Sequence, residues 1–201
     1  MFEAEAGMTR YITECQRGRD HGDWIRLCAQ VFADLPDNDE DPAGWQRVFF
    51  RALALMEGFL VSHYGHGELE AWAEANAEVH RHVEPDHGNG ALGPVRRIAS
   101  QAELYSSAYR VLEAGTDRAV IAIDHCGIWD YRERARRRGI PITLDSPCEY
   151  CTHATAANVS AKGFQALHVL TDGPSGHGCR WEITARSDAT TSSAGQRSCA
   201  E

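Results

Sequence analysis

The stretch Ala119-Val120-Ile121-Ala122-Ile123 is short, apolar and rich in β-branched residues, a composition typical of a buried strand. Asp124, His125 and Cys126 follow it directly. Before this strand the apolar residues recur at helical spacing, and after it they alternate as in strands. The sequence therefore predicts an α+β protein whose N-terminal helical part packs on a small C-terminal α/β part with a short, mainly antiparallel sheet.

The helical part is predicted to span residues 1–117. Its strongest helix signal lies between Trp45 and Leu60, where apolar residues are spaced three and four apart, with Asp41 as N-cap and Pro42 at the first helical position. Further helices are predicted over 12–35, with a break near Gly18–Gly22, and over 68–83 and 95–112. No strand is predicted before residue 118.

The mixed part is predicted to span 118–186 and to share one core with the helices. Residues 179–185 alternate strictly, which places Cys179, Trp181, Ile183 and Ala185 on one face of a strand. A helix is predicted over 129–138 and a strand over 166–170, while 148–151 and 172–178 are predicted loops. Residues 187–201 are polar, contain no core residue, and are predicted to form a disordered tail.

Charge and hydropathy exclude two classes of partner. The chain has 201 residues and a formal net charge of −9, which opposes general binding to a phosphate backbone. No segment approaches the roughly 20 consecutive apolar residues that span a bilayer, and the first residues lack the apolar stretch of a secretory signal. We therefore expect a cytoplasmic protein that acts on a small molecule and binds neither nucleic acid nor membrane.

Cysteines supply the main functional signal. Four of the seven lie in the mixed part, beside predicted strand ends or loops: Cys126, Cys148, Cys151 and Cys179. A nucleophilic thiol needs a base, because its ordinary pKa of about 8.5 leaves only a few per cent thiolate at neutral pH. Three histidines lie within two residues of these thiols: His125, His153 and His177. The pattern predicts thiol catalysis, with His125 or His153 as the general base.

Other uses of the same thiols stay open at this point. Cys148-x-x-Cys151 is half of a structural zinc site, which Cys126 with Cys179, or His153, could complete. Small, buried hydrophobic side chains are a third interpretation. A redox CxxC motif usually opens a helix after a strand, whereas these residues are predicted to lie in a loop after a proline. No cofactor is expected for the catalytic interpretation, and zinc is expected for the alternative.

Substrate-binding side chains are predicted beside Cys179. His177 and Trp181 flank this cysteine along the strand, and Arg180 offers a guanidinium that binds a carboxylate through two hydrogen bonds. The arginine run between Arg132 and Arg138 could also bind an anion, although its alternation with Glu133 is more typical of a solvated helix face.

The order of motifs in the mixed part resembles the L-2-amino-thiazoline-4-carboxylic acid hydrolase family. A cysteine opens a short aromatic helix at Cys126, a second cysteine loop covers 148–151, and a Gly-x-Gly-Cys-x-aromatic strand covers 176–181. The resemblance spans 118–185 and implies hydrolytic opening of a small ring that contains sulfur and nitrogen. Its three recurrent cysteine positions fall on Cys126, Cys148 and Cys179.

One position departs from that family. Its middle motif tends to read Cys-x-x-Asp, whereas this chain has Cys151 in place of the carboxylate. The resemblance therefore predicts hydrolysis or rearrangement of a C–N bond in a small heterocyclic or amidine-type substrate of specialised metabolism, and leaves the substrate open. A weaker resemblance, to domains of the 4-vinyl-reductase type, gives the alternative of a zinc-stabilised sensor or accessory module that binds a small molecule.

Overall fold

The computed structural model describes residues 2–37, 41–83, 88–139, 142–174 and 176–186. In chain order the elements are α1 (Phe2–Glu14), α2 (His21–Val31), α3 (Pro42–Tyr64), a 3-10 turn (His66–Glu68), α4 (Leu69–Val83), α5 (Leu92–Leu104), β1 (Ala108–Ala114), β2 (Arg118–His125), α6 (Gly127–Arg137), α7 (Glu149–Ala161), β3 (Phe164–Gly173) and β4 (Gly176–Ala185). The predicted α+β class is confirmed. The tail predicted over 187–201 lies outside the described residues.

The start of α3 follows the predicted capping pattern. The Asp41 carboxylate accepts a hydrogen bond from the Gly44 amide at 2.8 Å, and Pro42 occupies the first turn. This bond satisfies one of the amides that a helix leaves without a partner at its N-terminus. The predicted N-terminus of the longest helix is therefore confirmed.

The helix predicted over 95–112 is wrong in its second half. α5 ends at Leu104 and β1 begins at Ala108, with Ser106 between them in the left-handed region at φ 57°. Tyr105 and Tyr109 are four residues apart, which imitates helical spacing, but Tyr109 pairs with Ile123 in the sheet. Consequently the sheet begins before residue 118, and the predicted boundary at 117 separates β1 from its partner strand.

The sheet has the strand order β1-β2-β4-β3, and every neighbouring pair is antiparallel. Its inner face carries Ile121 and Ile123 of β2 opposite Trp181 and Cys179 of β4. These side chains pack on α5 and α7 in one buried cluster with Ile183. The predicted alternation of β4 is thus confirmed, except that Ala185, at the end of the strand, is exposed.

Two predicted loops are regular structure. Residues 149–151 form the first turn of α7, a helix that sequence analysis missed, and Cys148 directly precedes it. Most of 172–178 belongs to a hairpin, because β3 continues to Gly173 and β4 begins at Gly176. Both corrections matter for function, since they place Cys148 at a helix N-terminus and His177 within a strand.

Helix α7 joins the two hydrophobic clusters of the molecule. Tyr150 packs with the helical cluster, where its ring stacks on Trp72 with centroids 3.9 Å apart, and Val159 packs with the cluster of the sheet. Burial of a large apolar side chain contributes about 1.5–3 kcal/mol. Helix α7 is therefore held at its start by the helical cluster and near its end by the cluster of the sheet.

In the part of the chain that the structure describes, every helix is too short or too polar to cross a membrane.

Candidate thiol active site

Four thiols converge where the first turns of α6 and α7 meet the inner face of β4. Cys126 precedes α6, Cys148 and Cys151 begin α7, and Cys179 lies on β4. All four are free. The pKa of Cys148 is raised to about 12, first by burial and then by the thiols of Cys151, Cys126 and Cys179, because each would place a like charge nearby. The predicted cysteine residues are thus brought together.

Cys148, His177 and Asp172 form a hydrogen-bonded chain. The Cys148 Sγ lies 3.5 Å from His177 Nε2, and His177 Nδ1 lies 2.9 Å from Asp172 Oδ1. When Nδ1 carries the proton and donates to the carboxylate, Nε2 is free to accept a proton from the thiol. This is the arrangement of nucleophile, base and orienting carboxylate that activates cysteine and serine nucleophiles.

The hairpin register explains why Asp172 and His177 meet. They are directly opposite each other in the antiparallel pair of β3 and β4, so their side chains leave the same face of the sheet. Two further contacts fix His177: its carbonyl accepts a hydrogen bond from the Cys126 amide at 2.8 Å, and its ring stacks on Trp129 with centroids 3.6 Å apart. The base is therefore oriented from three sides.

The thiols are protonated at neutral pH. Burial raises the pKa of Cys179 to about 12 and that of Cys151 to about 11, and it also raises the pKa of Cys126. Burial disfavours a thiolate because its charge loses hydration. Cys148 can therefore become a strong nucleophile only when a base removes its proton during the reaction, and His177 is in contact with it.

The N-terminus of α7 supplies donors beside the nucleophile. Cys148 occupies the cap position and its side chain accepts no capping hydrogen bond. The backbone amides of Tyr150 and Cys151 lie in the first turn, where amides have no acceptor within their helix. Such amides stabilise negative charge that develops on a substrate atom.

A buried ion pair adjoins the thiols. Arg132 of α6 donates to Glu57 of α3 at 2.5 Å, and the two side chains are 12% and 3% exposed. The charge of Arg132 partly offsets the rise in pKa of Cys126, Cys148 and Cys151, which places the guanidinium within electrostatic reach of all three. Arg132 thus differs from the solvated arginines that follow it on α6.

A surface groove of about 300 Å³ opens beside this centre. Its walls come from α6 and from the segment that leads into α7: Trp129, Glu133, Arg136, Ile142, Leu144, Asp145, Ser146 and Pro147. Trp129 lines the groove and also stacks on His177. Another groove, of about 470 Å³, is lined by Arg47, Arg51 and Tyr131 among others. None of the four thiols lines either groove, and the smaller groove adjoins the candidate site through Trp129.

The remaining predicted site residues are placed differently. His125 Nε2 lies 3.2 Å from Asp130 Oδ2. His153 is two residues beyond Cys151 on α7, and helix positions two apart do not share a face.

The predicted substrate-binding residues separate into three settings. Arg180 leaves the opposite face of the sheet from Cys179, with a nitrogen 3.7 Å from Glu182, so it does not adjoin the thiols. Trp181 is a core residue, 2% exposed. His177, which was predicted as a substrate contact, is instead the histidine in contact with Cys148.

Sequence analysis missed Asp172 and Trp129 as members of the site, and it named Arg132 only as the first residue of an arginine run that could bind an anion. A signal for Asp172 was available, because extending β3 and β4 toward the turn pairs it with His177. No local signal separated Arg132 from the other arginines of that run, since its burial depends on Glu57, 75 positions earlier in the chain.

The zinc alternative needs four sulfurs around one ion. All four cysteines are among the described residues, yet no three of their sulfurs lie within 4.8 Å of one another. Groups that meet this distance in the described parts of the chain are Asp20, Asp23 and His63, and His66, Asp145 and Glu149. The sulfurs therefore do not form a preassembled tetrahedral site.

No protein-family model and no curated protein matches the chain. Two solved structures of H-NOX protein from K. algicida, both Fe(II) unliganded and one a point mutant, align with 94% and 92% of this chain and 98% of their own. Sequence identity is 7% and 8%, with TM-scores of 0.45 and 0.42.

Proposed function

We propose that this protein is a thiol-dependent hydrolase that cleaves a C–N bond in a small heterocyclic or amidine-type substrate, with Cys148 as nucleophile. The observation that carries the proposal is the chain of contacts from Cys148 through His177 to Asp172. His177 replaces His125 and His153 as the general base. Cys126 and Cys179 line the centre.

The first chemical step forms a bond between Cys148 Sγ and the electrophilic carbon of the substrate. His177 Nε2 removes the thiol proton as the sulfur attacks, and Asp172 stabilises the imidazolium that results. The electron pair of the C=N or C=O bond moves onto its heteroatom. The amides of Tyr150 and Cys151 stabilise that charge.

The second step breaks the C–N bond and regenerates the thiol. His177 gives its proton to the departing nitrogen, which leaves a thioester or thioimidate on Cys148. Water then attacks the same carbon while His177 accepts a proton from it, and the sulfur leaves and is protonated again. The cycle consumes one water and requires no oxidant or reductant.

Substrate binding is assigned to the groove beside Trp129 and to Arg132. The groove volume of about 300 Å³ suits a small molecule. Arg132 is cationic and lies near three of the thiols, which favours a substrate with a carboxylate close to its reacting carbon. Arg180, on the other face of the sheet, is not part of this assignment.

The test compares Cys148→Ser with Cys28→Ser in assays of cyclic amidine and thiazoline carboxylates. Cys28 is another free thiol, on α2, and its Sγ contacts Glu5 at 3.9 Å outside the cluster. We expect Cys148→Ser to lose at least about a thousandfold in kcat/KM, and Cys28→Ser to keep the wild-type value. Unchanged turnover by Cys148→Ser, or no turnover of any of these substrates by the wild type, overturns the proposal.

The alternative function, a zinc-stabilised module that binds a small molecule, draws on the same four sulfurs. Elemental analysis of the purified protein separates the two. One zinc per chain, whose removal unfolds the protein, supports the binding module. A folded, metal-free protein in which Cys148 forms a covalent adduct during turnover supports the hydrolase.

A further inference from the structure

Cys151 has no role in the proposed reaction beyond its amide, yet its position relative to Cys148 is specific. Cys148 caps α7 and Cys151 is the third residue of the helix, while the Thr152 amide donates to the Cys148 carbonyl at 2.9 Å and closes the first turn. In helical geometry, residues three apart have Cα atoms about 5 Å apart. That distance lies within the range of disulfide bonds, about 4.4–6.8 Å.

The two sulfurs also lie within electrostatic reach of each other. Among the neighbouring groups that raise the pKa of Cys148, the Cys151 thiol has the largest effect. By contrast, Cys126 uses its sulfur to accept a hydrogen bond from the Trp129 amide at 3.4 Å. Cys179 lies on a different element, β4. The first turn of α7 therefore makes Cys151 the natural partner of Cys148.

The position of Cys148 and Cys151 at the start of a helix removes the earlier argument against redox chemistry at this CxxC motif. Sequence analysis placed Cys148-x-x-Cys151 in a loop, whereas the structure places it at a helix start, as in dithiol redox motifs. Cys151 as a residue is exposed and Cys148 is half-buried, so the first turn of α7 borders solvent.

We propose that Cys148 and Cys151 are a reversible redox site, in which a low-molecular-weight disulfide such as oxidised glutathione converts the two thiols into a disulfide. His177 removes the proton of Cys148, whose thiolate attacks one glutathione sulfur, and the glutathione thiolate that leaves takes up that proton. Cys151 then attacks the Cys148 sulfur while His177 accepts its proton, and the second glutathione leaves and is protonated in turn. Two electrons and two protons pass from the protein to two glutathione molecules. This redox site is independent of the proposed hydrolysis, because the oxidation state of Cys148 and Cys151 can be measured without any substrate.

The experiment uses the full-length, reduced protein in glutathione buffers with a rising fraction of the oxidised form. After acid quenching, alkylation and trypsin digestion, Cys148 and Cys151 are recovered in one peptide, residues 139–162, which contains no other cysteine. We expect a growing share of this peptide to lack both alkyl groups and to be two hydrogens lighter than the dithiol. Dithiothreitol should reverse the change.

Two variants show which thiols react. Cys151→Ser should abolish the internal disulfide and leave Cys148 either alkylated or joined to glutathione. Cys179→Ser should leave the disulfide unchanged, and circular dichroism confirms that both variants are folded. Full alkylation of the 139–162 peptide at every ratio, or a bond from Cys148 to Cys126 or Cys179, overturns the redox site. A hydrolase assay without turnover does not alter this thiol measurement, so the two proposals fail separately.

Discussion

Asp172 and His177 face each other across the hairpin of β3 and β4, and the aspartate accepts a hydrogen bond from the Nδ1 of the histidine at 2.9 Å. The pair depends on strand register, because a slip of one residue would turn one of the two side chains to the other face of the sheet. The orientation of His177 toward Cys148 therefore depends on the register of β3 and β4 as well as on the position of α7.

Asp172→Asn should reduce turnover without unfolding the protein. An asparagine can hold the imidazole in the wrong tautomer, with the proton on the nitrogen that must accept from Cys148, and it cannot stabilise an imidazolium. We expect kcat to fall by about 10²–10⁴-fold with little change in KM. Steady-state kinetics on the substrate found for the wild type measures this effect.

Thermal unfolding serves as the control for that variant. The Asp172 side chain is 89% exposed, so its loss should change the free energy of unfolding by less than about 1 kcal/mol. An unchanged kcat in the folded variant would remove Asp172 from the catalytic chain.

A matched pair of glycine variants tests the close approach of β2 and β4. A Cβ on Gly178 would collide with the carbonyl oxygen of Ile123, whereas a Cβ on Gly173 would meet no atom within 4 Å. Both glycines lie in the β3–β4 hairpin, and neither has a positive φ. We expect Gly178→Ala to destabilise the protein by about 1–3 kcal/mol in urea denaturation, and Gly173→Ala to be nearly neutral. Equal stabilities would show that β4 can shift freely.

Much of the fold could be predicted from local patterns. The apolar run of β2, the alternation of β4 and the cap of α3 at Asp41 each express a preference of a few neighbouring residues. The same reasoning failed at β1, where Tyr105 and Tyr109 imitate helical spacing although a sharp turn at Ser106 separates them. Periodicity alone could not detect that turn.

The site was predictable only in part. The four cysteines and His177 could be selected by residue type, because thiols and imidazoles carry the relevant chemistry. Which histidine contacts Cys148 depends on strand pairing and on the start of α7, and both arise from tertiary packing. Arg132 illustrates the limit, since only its contact with Glu57 distinguishes it from its solvated neighbours.

The raised thiol pKa values predict a loss of stability at alkaline pH. Burial raises the pKa of Cys179 to about 12, above its value of about 8.5 in the unfolded chain. A group with a raised pKa in the folded state contributes its full stability below the unfolded pKa and loses it as pH rises toward the folded one. Between about pH 8.5 and 12, stability should therefore fall.

Cys179→Ala isolates the contribution of that thiol. We expect the free energy of unfolding to fall less steeply with pH in the variant, by at most about 1.4 kcal/mol per pH unit, which is the limit for one proton. Urea denaturation at pH 6, 7, 9 and 10 measures the slope of both proteins on each side of pH 8, and below pH 8 the two slopes should be the same. Parallel curves throughout the range would mean that Cys179 ionises as freely in the folded protein as in the unfolded chain.

Substitution in the buried ion pair of Glu57 and Arg132 should lower the free energy of unfolding far more than substitution in the exposed ion pair of Glu133 and Arg136 on α6. Glu57→Gln leaves the Arg132 charge buried without a counter-charge, which should cost about 3–5 kcal/mol in urea denaturation. Adding Arg132→Met removes that charge, so the double variant should regain most of the loss. The control is Glu133→Gln, which breaks an ion pair with the largely exposed Arg136 and should cost less than about 1 kcal/mol. Two results would contradict this prediction: a loss of stability in Glu57→Gln as small as that in Glu133→Gln, or a further loss when Arg132→Met is added. Either result would mean that Glu57 and Arg132 are not a buried charge pair. The charge of Arg132 would then no longer support its assignment to substrate binding.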